Sequence, residues 1–259
     1  MDFAAYHARS RALIDAEISA RLGEWFGALP QEHLDALRMV LSQGKRLRGC
    51  LACLVAEALG AEPERALPAA LALEVVQAAS LVHDDFVDGD RERRGRAAAW
   101  TVLTPRRAVL LADVMFATAL DRMARAGAAQ AAALAQAIAA MARGALEESA
   151  APDSRPRINQ HNTGSRFAAA ARLGALAAGA APALAEAAHE FGSRAGEAYQ
   201  VADDVVDTAL APAHAASRMN LLLERAKAAL APFPDSPHAR LLAEAPAHMA
   251  RMMAPEHFA

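Results

Sequence analysis

The chain has 259 residues, 54% of them apolar and only 5% aromatic, with a net charge of −3. That length supports one large domain with a deep core. The near-neutral charge argues against nucleic acid or an anionic membrane surface as a partner.

Alanine abounds and aromatic residues are few, so the composition favours helix over strand. The N-terminal MDFAAYHARSRALIDAE is charged from the start and lacks the apolar stretch of a secretory leader. ALPQEH divides the first helix from the second. Gly44 separates the second from a third over about residues 45–59. Cys50 and Cys53 form a CxxC inside that third helix. Such a pair is redox-active or metal-binding in some settings; without a second pair, packing is the favoured reading. No structural disulfide is expected, in keeping with a cytoplasmic location.

GAEPERALP leads into a long helix ending near residues 86–88. Thr104 reads as an N-cap, with Pro105 at the first helical position. APDSRPR, residues 151–157, reads as a loop. A helix over about 158–178 should stop at Gly179, and another should run over about 183–208. APFPDSPH, residues 231–238, precedes the last. The greasiest stretch, 167–188, is mostly alanine and is broken by Arg172 and Pro182. It reads as a buried helix, so no stable membrane insertion is expected. No strand-like alternation or long linker interrupts the pattern. The expectation is one all-α domain over residues 1–259, a single-domain bundle of about ten or more long helices.

Two acidic sets end two of these apolar helices. Asp84, Asp85 and Asp88 stand at i, i+1 and i+4, and Asp203, Asp204 and Asp207 repeat the spacing. On a helix, i and i+4 share a face, one turn apart. Like charges so placed repel by about 0.2–0.5 kcal/mol per pair even in water. Val82, Phe86, Val201 and Val205 beside them make the cost larger. A single set reads equally well as a solvated acidic helix end. Two sets, each ending an apolar helix, favour a hard cation instead. Mg²⁺ takes one or two carboxylates and completes its shell with water and phosphate oxygens. Basic residues agree: Arg93 and Arg94 follow the first set, and GKRLRG places Lys45, Arg46 and Arg48 at another helix start. Arg and Lys bind phosphate directly. Two diphosphates are implied, one held through Mg²⁺ and one by cations alone, above an apolar cavity.

At this point the chain resembles the trans-isoprenyl diphosphate synthases, the polyprenyl synthetase family. GKRLRG is similar to the family's GKRxRP, and DDFVDGDRERRG to its DDxxD followed by RRG. LADVMFATAL, NTGSRFAAAARLGA and AYQVADDVVD resemble the GDxLLAxAL, KTGxLFxxAxxLGA and FQxxDDxLD blocks. The resemblance covers about residues 44–207. It implies the isoprenoid-synthase type of bundle around a central apolar cavity, and a Mg²⁺-dependent prenyltransferase. Such an enzyme joins an allylic diphosphate to isopentenyl diphosphate, giving a longer trans-prenyl diphosphate. By resemblance, Asp84, Asp85, Asp88, Asp203 and Asp207 hold about three Mg²⁺ on the allylic diphosphate, with Asp204 in the same catalytic set. Arg93, Gln200 and the segment at Asn162 and Thr163 support that substrate, and Thr163 faces the carbocation. Lys45, Arg48, Gln77 and Arg94 bind isopentenyl diphosphate. Ionisation of the allylic C–O bond, attack by the isopentenyl double bond and proton loss to the departed diphosphate would follow. Product length would depend on the floor beneath Asp84. Ala79 and Ser80 are small; Val76, Met115 and Phe116 would stop growth deeper. A C20 product is expected, with C15 next, from a homodimer.

The chain departs from the family in four places. Asn162 stands where the family has lysine, and the lysine-bearing loop after Asp207 is missing. Each lost charge-assisted contact costs about 1.5–3 kcal/mol; Arg166 and Arg218 are the cations nearest in sequence to compensate. Ala112 replaces the glycine before Asp113, and Gly49 the usual proline. Two alternatives follow: a weak or inactive homologue that serves a partner synthase, or an enzyme of this fold with another acceptor.

Overall fold

The computed structural model describes residues 2–42, 44–150, 155–207, 210 and 212–258, with backbone alone at 149, 155–162, 212 and 213. Among the described residues the chain forms eleven α-helices, one 3₁₀ turn and a two-residue β-hairpin. The all-α expectation holds.

α1 spans Phe3–Phe26, α2 Gln31–Leu41 and α3 Leu47–Ala58. α4 spans Leu67–Val87 after a 3₁₀ turn at Pro63–Arg65. A hairpin, β1 Glu92–Arg93 and β2 Arg96–Ala97, links it to the short α5, Ala99–Val102. α6 spans Pro105–Ala126, α7 Ala128–Ala150 and α8 Arg155–Ala177. α9 spans Pro182–Val206, α10 Pro212–Ala229 and α11 Pro237–Met253.

Local chemistry sets most of these ends. Thr104 Oγ1 accepts from the Arg107 N–H, and Pro105 occupies the first turn of α6. Gly179, at φ +75°, takes the left-handed geometry that closes α8: the Ala180 N–H reaches back to the Ala175 carbonyl. The helix begins at Arg155, inside the stretch read as a loop; Pro156 is tolerated because first-turn amides have no intrahelical partner.

The hairpin was not expected. Glu92 pairs with Ala97 and Arg93 with Arg96, so Arg94 and Gly95 form the turn. Both have positive φ, +52° and +74°, as a type I′ turn requires.

α8 is the hub. It packs most extensively on α9 and also meets α3, α7 and α4. Small residues allow the close approach. A Cβ on Gly196 would stand 2.8 Å from the Thr163 carbonyl oxygen, and one on Gly174 would stand 2.3 Å from the Ala52 carbonyl oxygen. Cys50 and Cys53 are buried free thiols in the core. Burial pushes both thiols up, Cys53 to about 12. Among the described residues no helix is long and apolar enough to cross a membrane.

Candidate functional site

Five backbone segments meet at one end of the bundle: the start of α3, the end of α4 with its hairpin, the first half of α8, and the ends of α9 and α11. Side-chain contacts establish the meeting. Thr163 of α8 donates to Gln200 of α9 (2.7 Å), Arg166 of α8 to Gln77 of α4 (3.3 Å), and Lys45 lies against Met253 of α11.

The three aspartates at the end of α4, Asp88 being its C-cap, divide between two faces. Asp84 and Asp88 lie one turn apart and repel each other. Arg166 of α8 attracts Asp84. Asp85 points round the helix to the hairpin, where it pairs with Arg93 and lines a recess with Ala78 and Val82. The α9 set divides similarly. Asp207 repels both Asp203 and Asp204, but Asp203 feels Lys45 whereas Asp204 feels Arg218 of α10. Gln200 Nε2 bridges the two, donating to Asp203 Oδ2 (3.1 Å) and Asp204 Oδ1 (2.9 Å). Because Thr163 occupies its carbonyl oxygen, the Gln200 amide is fixed with its donors towards the carboxylates. Thr163 and Gln200 thus hold the acidic end of α9 in place.

Burial pushes Asp84, Asp85, Asp203 and Asp204 above the ordinary carboxylate range; the nearby cations and the Gln200 amide only partly offset it. Among the described residues no three carboxylates stand close enough to hold an ion by themselves. The donor set still suits Mg²⁺. Its oxygens are hard and its desolvated anions lack full compensation, and such an ion completes its shell with water and phosphate.

A cationic cluster faces the acidic ends. Lys45 lies over the Tyr199 ring at 5.9 Å, and Arg48 over the Phe167 ring at 4.8 Å. Arg94 is close enough to both to disfavour their charge. Burial, then Arg166, pushes the Arg48 guanidinium down to about 9. Among the described residues no carboxylate pairs with Arg48, and its Nε is buried without a partner. Asp203 near Lys45 and Glu74 near Arg48 offset this positive charge only in part, so the cluster suits an anion.

Arg46, in the same motif, does other work. It enters α3 in left-handed geometry, φ +53°, with a buried side chain. Its guanidinium meets Asp15 (2.7 Å), Glu74 (3.6 Å) and the Leu41 carbonyl. Glu74 in turn accepts from the Gly49 N–H at 2.9 Å. Proline at 49 has no such donor, so the Gly49 departure and the buried Glu74 belong together.

Below Asp84, α4 presents Ser80, Gln77 and Leu73 along one face. Arg48, Gln77 and Arg166 enclose a cavity there with Leu73, Val76 and Leu134. Its volume is about 10 Å³, close to the minimum for one water. This recess among the described residues is therefore small, with two guanidiniums in its wall. Ala79 shares the α4 face of His83, whose ring meets Phe116 of α6 at 5.6 Å. Phe116 thus packs beside the upper part of α4, near His83. Met115 is fully buried. The Asn162 side chain lies outside the described residues.

Sequence reading missed the hairpin, Tyr199 and the Met252–Met253 end of α11, where the Met252 carbonyl also accepts from Lys45 (3.5 Å). The hairpin and Tyr199 lie inside motifs read only for their charged residues, and Met252 and Met253 belong to no motif. Arg166 was visible only as a cation near Asn162.

Comparison with known proteins shows the family. The polyprenyl synthetase family model matches residues 30–218. Component 2 of heptaprenyl diphosphate synthase from Geobacillus stearothermophilus is 32% identical over 207 residues, covering 76% of this chain and 63% of that protein. The (2E,6E)-farnesyl diphosphate synthase of Mycobacterium tuberculosis is 34% identical over 174 residues, 63% of this chain and 48% of that one. The matched region thus spans about half to two thirds of the length of these curated relatives. The solved geranylgeranyl pyrophosphate synthetase from Geoglobus acetivorans shares the fold, with TM-score 0.83 at 22% identity over 94% of this chain and 98% of that one. With its motifs in family order and the family model covering most of its length, this chain belongs to the polyprenyl synthetase family.

Proposed function

We propose that this chain is a Mg²⁺-dependent prenyltransferase that condenses an allylic diphosphate with isopentenyl diphosphate to a longer trans-prenyl diphosphate, C20 first and C15 next. The observation that carries the reading is Arg166, which lines a small recess with Arg48 and Gln77 and lies within electrostatic reach of both acidic helix ends through Asp84 and Asp203. In this reading Asp84, Asp88, Asp203 and Asp207 hold the ions. Asp85 stays with Arg93, and Gln200 steadies both Asp203 and Asp204. Bound Mg²⁺ supplies positive charge against the leaving diphosphate. Thr163 and Gln200 fix the α9 carboxylates, and Lys45, Arg48, Gln77 and Arg94 hold isopentenyl diphosphate. Buried walls such as Val76 and Leu134 exclude water. Small Ser80 on the Asp84 face supports a product longer than C15.

The whole chain, 1–259, acts as one domain in this proposal, and as a homodimer in the cytoplasm. Leu110 and Val114, exposed one turn apart on α6, support the dimer. Incubation with Mg²⁺, isopentenyl diphosphate and each allylic diphosphate, followed by product-length measurement, tests the proposal. No turnover under any combination refutes it. A second reading, a partner subunit for another synthase, draws support from the narrow arginine-walled cavity and from the relative named as a synthase component. Turnover that appears only with a partner protein added supports that one.

A further inference from the structure

Arg166 is the feature that the family motifs do not account for. It lies on α8 between the two acidic helices, and both Asp84 of α4 and Asp203 of α9 act on its charge. It pairs with neither within ion-pair distance among the described residues. Its one hydrogen bond here, to Gln77 Oε1, is long at 3.3 Å, and its Nε is buried without a partner. Arg48 stands across the same small cavity, also without a carboxylate. Two guanidiniums that repel each other in a largely apolar wall are costly unless an anion lies between or above them. The anion must also suit the acidic neighbours, so it arrives with cations of its own.

Resting on the prenyltransferase reading, we infer that Arg166 is a direct ligand of the metal-held diphosphate, bonding its oxygens from beneath while Asp84 and Asp203 hold the ions above. A guanidinium suits this place because its planar fork meets two phosphate oxygens at once. Position 162, an asparagine, is one helical turn earlier on α8. The cation of this helix is thereby set one turn deeper, which places the diphosphate lower against α4.

Calorimetric binding of inorganic pyrophosphate with Mg²⁺ tests this, with circular dichroism to establish folding. The wild-type chain should bind. Arg166→Leu should weaken binding about 10- to 100-fold, the range for losing one charge-assisted pair. Arg166→Gln, which keeps polarity and most of the bulk, should weaken it similarly. Adding Asn162→Lys to Arg166→Leu should restore most of the affinity, because a cation returns to the same helix face. Variants that bind like wild type, or a double variant with no recovery, overturn the role of Arg166 and leave the prenyltransferase reading standing. A wild-type chain that binds no Mg²⁺-pyrophosphate overturns that reading, and the inference with it.

Discussion

Alanine at Gly192 probes the contact that sets the whole site, the crossing of α8 and α9. A Cβ there would stand 2.3 Å from the Phe167 carbonyl oxygen, 2.8 Å from the Ala168 Cα and 2.8 Å from the Ala171 Cβ. Two of these are backbone atoms, so no rotamer change relieves the clash and α8 itself must move. Overpacking of this kind costs about 3 kcal/mol, the upper end of the usual range. Replacing a helical glycine returns about 1 kcal/mol of backbone entropy. The net loss is then about 2 kcal/mol. The natural control is Gly23→Ala in the last turn of α1, where a Cβ meets nothing within 4 Å. That change should stabilise by about 0.5 kcal/mol. Urea unfolding followed by circular dichroism measures both, with the midpoint moving and the slope unchanged. The melting temperature of Gly192→Ala should fall by about 4–8 °C. If Gly192→Ala unfolds at the wild-type midpoint or above, α8 and α9 are not locked by this contact. The placement of Gln200 and Asp203 then needs another cause.

Arg46→Met should destabilise by about 3–5 kcal/mol, because it strands Glu74, whose side chain is only 5% exposed. An unfolding midpoint within error of wild type would show the pair to be dispensable. Ser80→Phe, on the Asp84 face, should shorten the prenyl product. An unchanged product profile by mass spectrometry would move the floor elsewhere. The buried thiols should resist maleimide at pH 8 and react only after urea is added. Their folded-state pKa is raised above the unfolded value near 8.5. Their contribution to stability is therefore full below about pH 8.5 and declines as pH rises towards the folded values, by about 1.4 kcal/mol per unit per thiol. A midpoint that stays flat from pH 8.5 to 10 contradicts this.

Much of the fold was legible because its signals are local. Thr104 with Pro105 marks the start of α6, and Gly179 the end of α8, through backbone geometry within one turn. The two aspartate sets were legible because the i, i+4 spacing forces charge onto one face of an apolar helix. The hairpin was harder to read, since two-residue strands leave no alternation and only the turn residues Arg94 and Gly95 carry a signal. Arg46 shows the limit of motif reading: three cations in GKRLRG look alike in sequence. Arg46 turns inward because its left-handed backbone aims it at Asp15 and Glu74, partners far away in the chain.

The residue order by itself determined an all-α chain, the capped ends of α6 and α8 at Thr104 and Gly179, and two acidic helix tips with a basic segment that together suit diphosphate chemistry. These follow from periodicity, capping and charge spacing, which act over a few residues. Only the tertiary structure decided which carboxylates lie near Arg166 and which are held by Arg93 or Gln200. It alone placed Arg166 between α4 and α9, and lined a small recess beneath Asp84 with two arginines. Those outcomes depend on how α8 packs against α3, α4, α7 and α9, and that packing is fixed by contacts between residues tens to over a hundred positions apart.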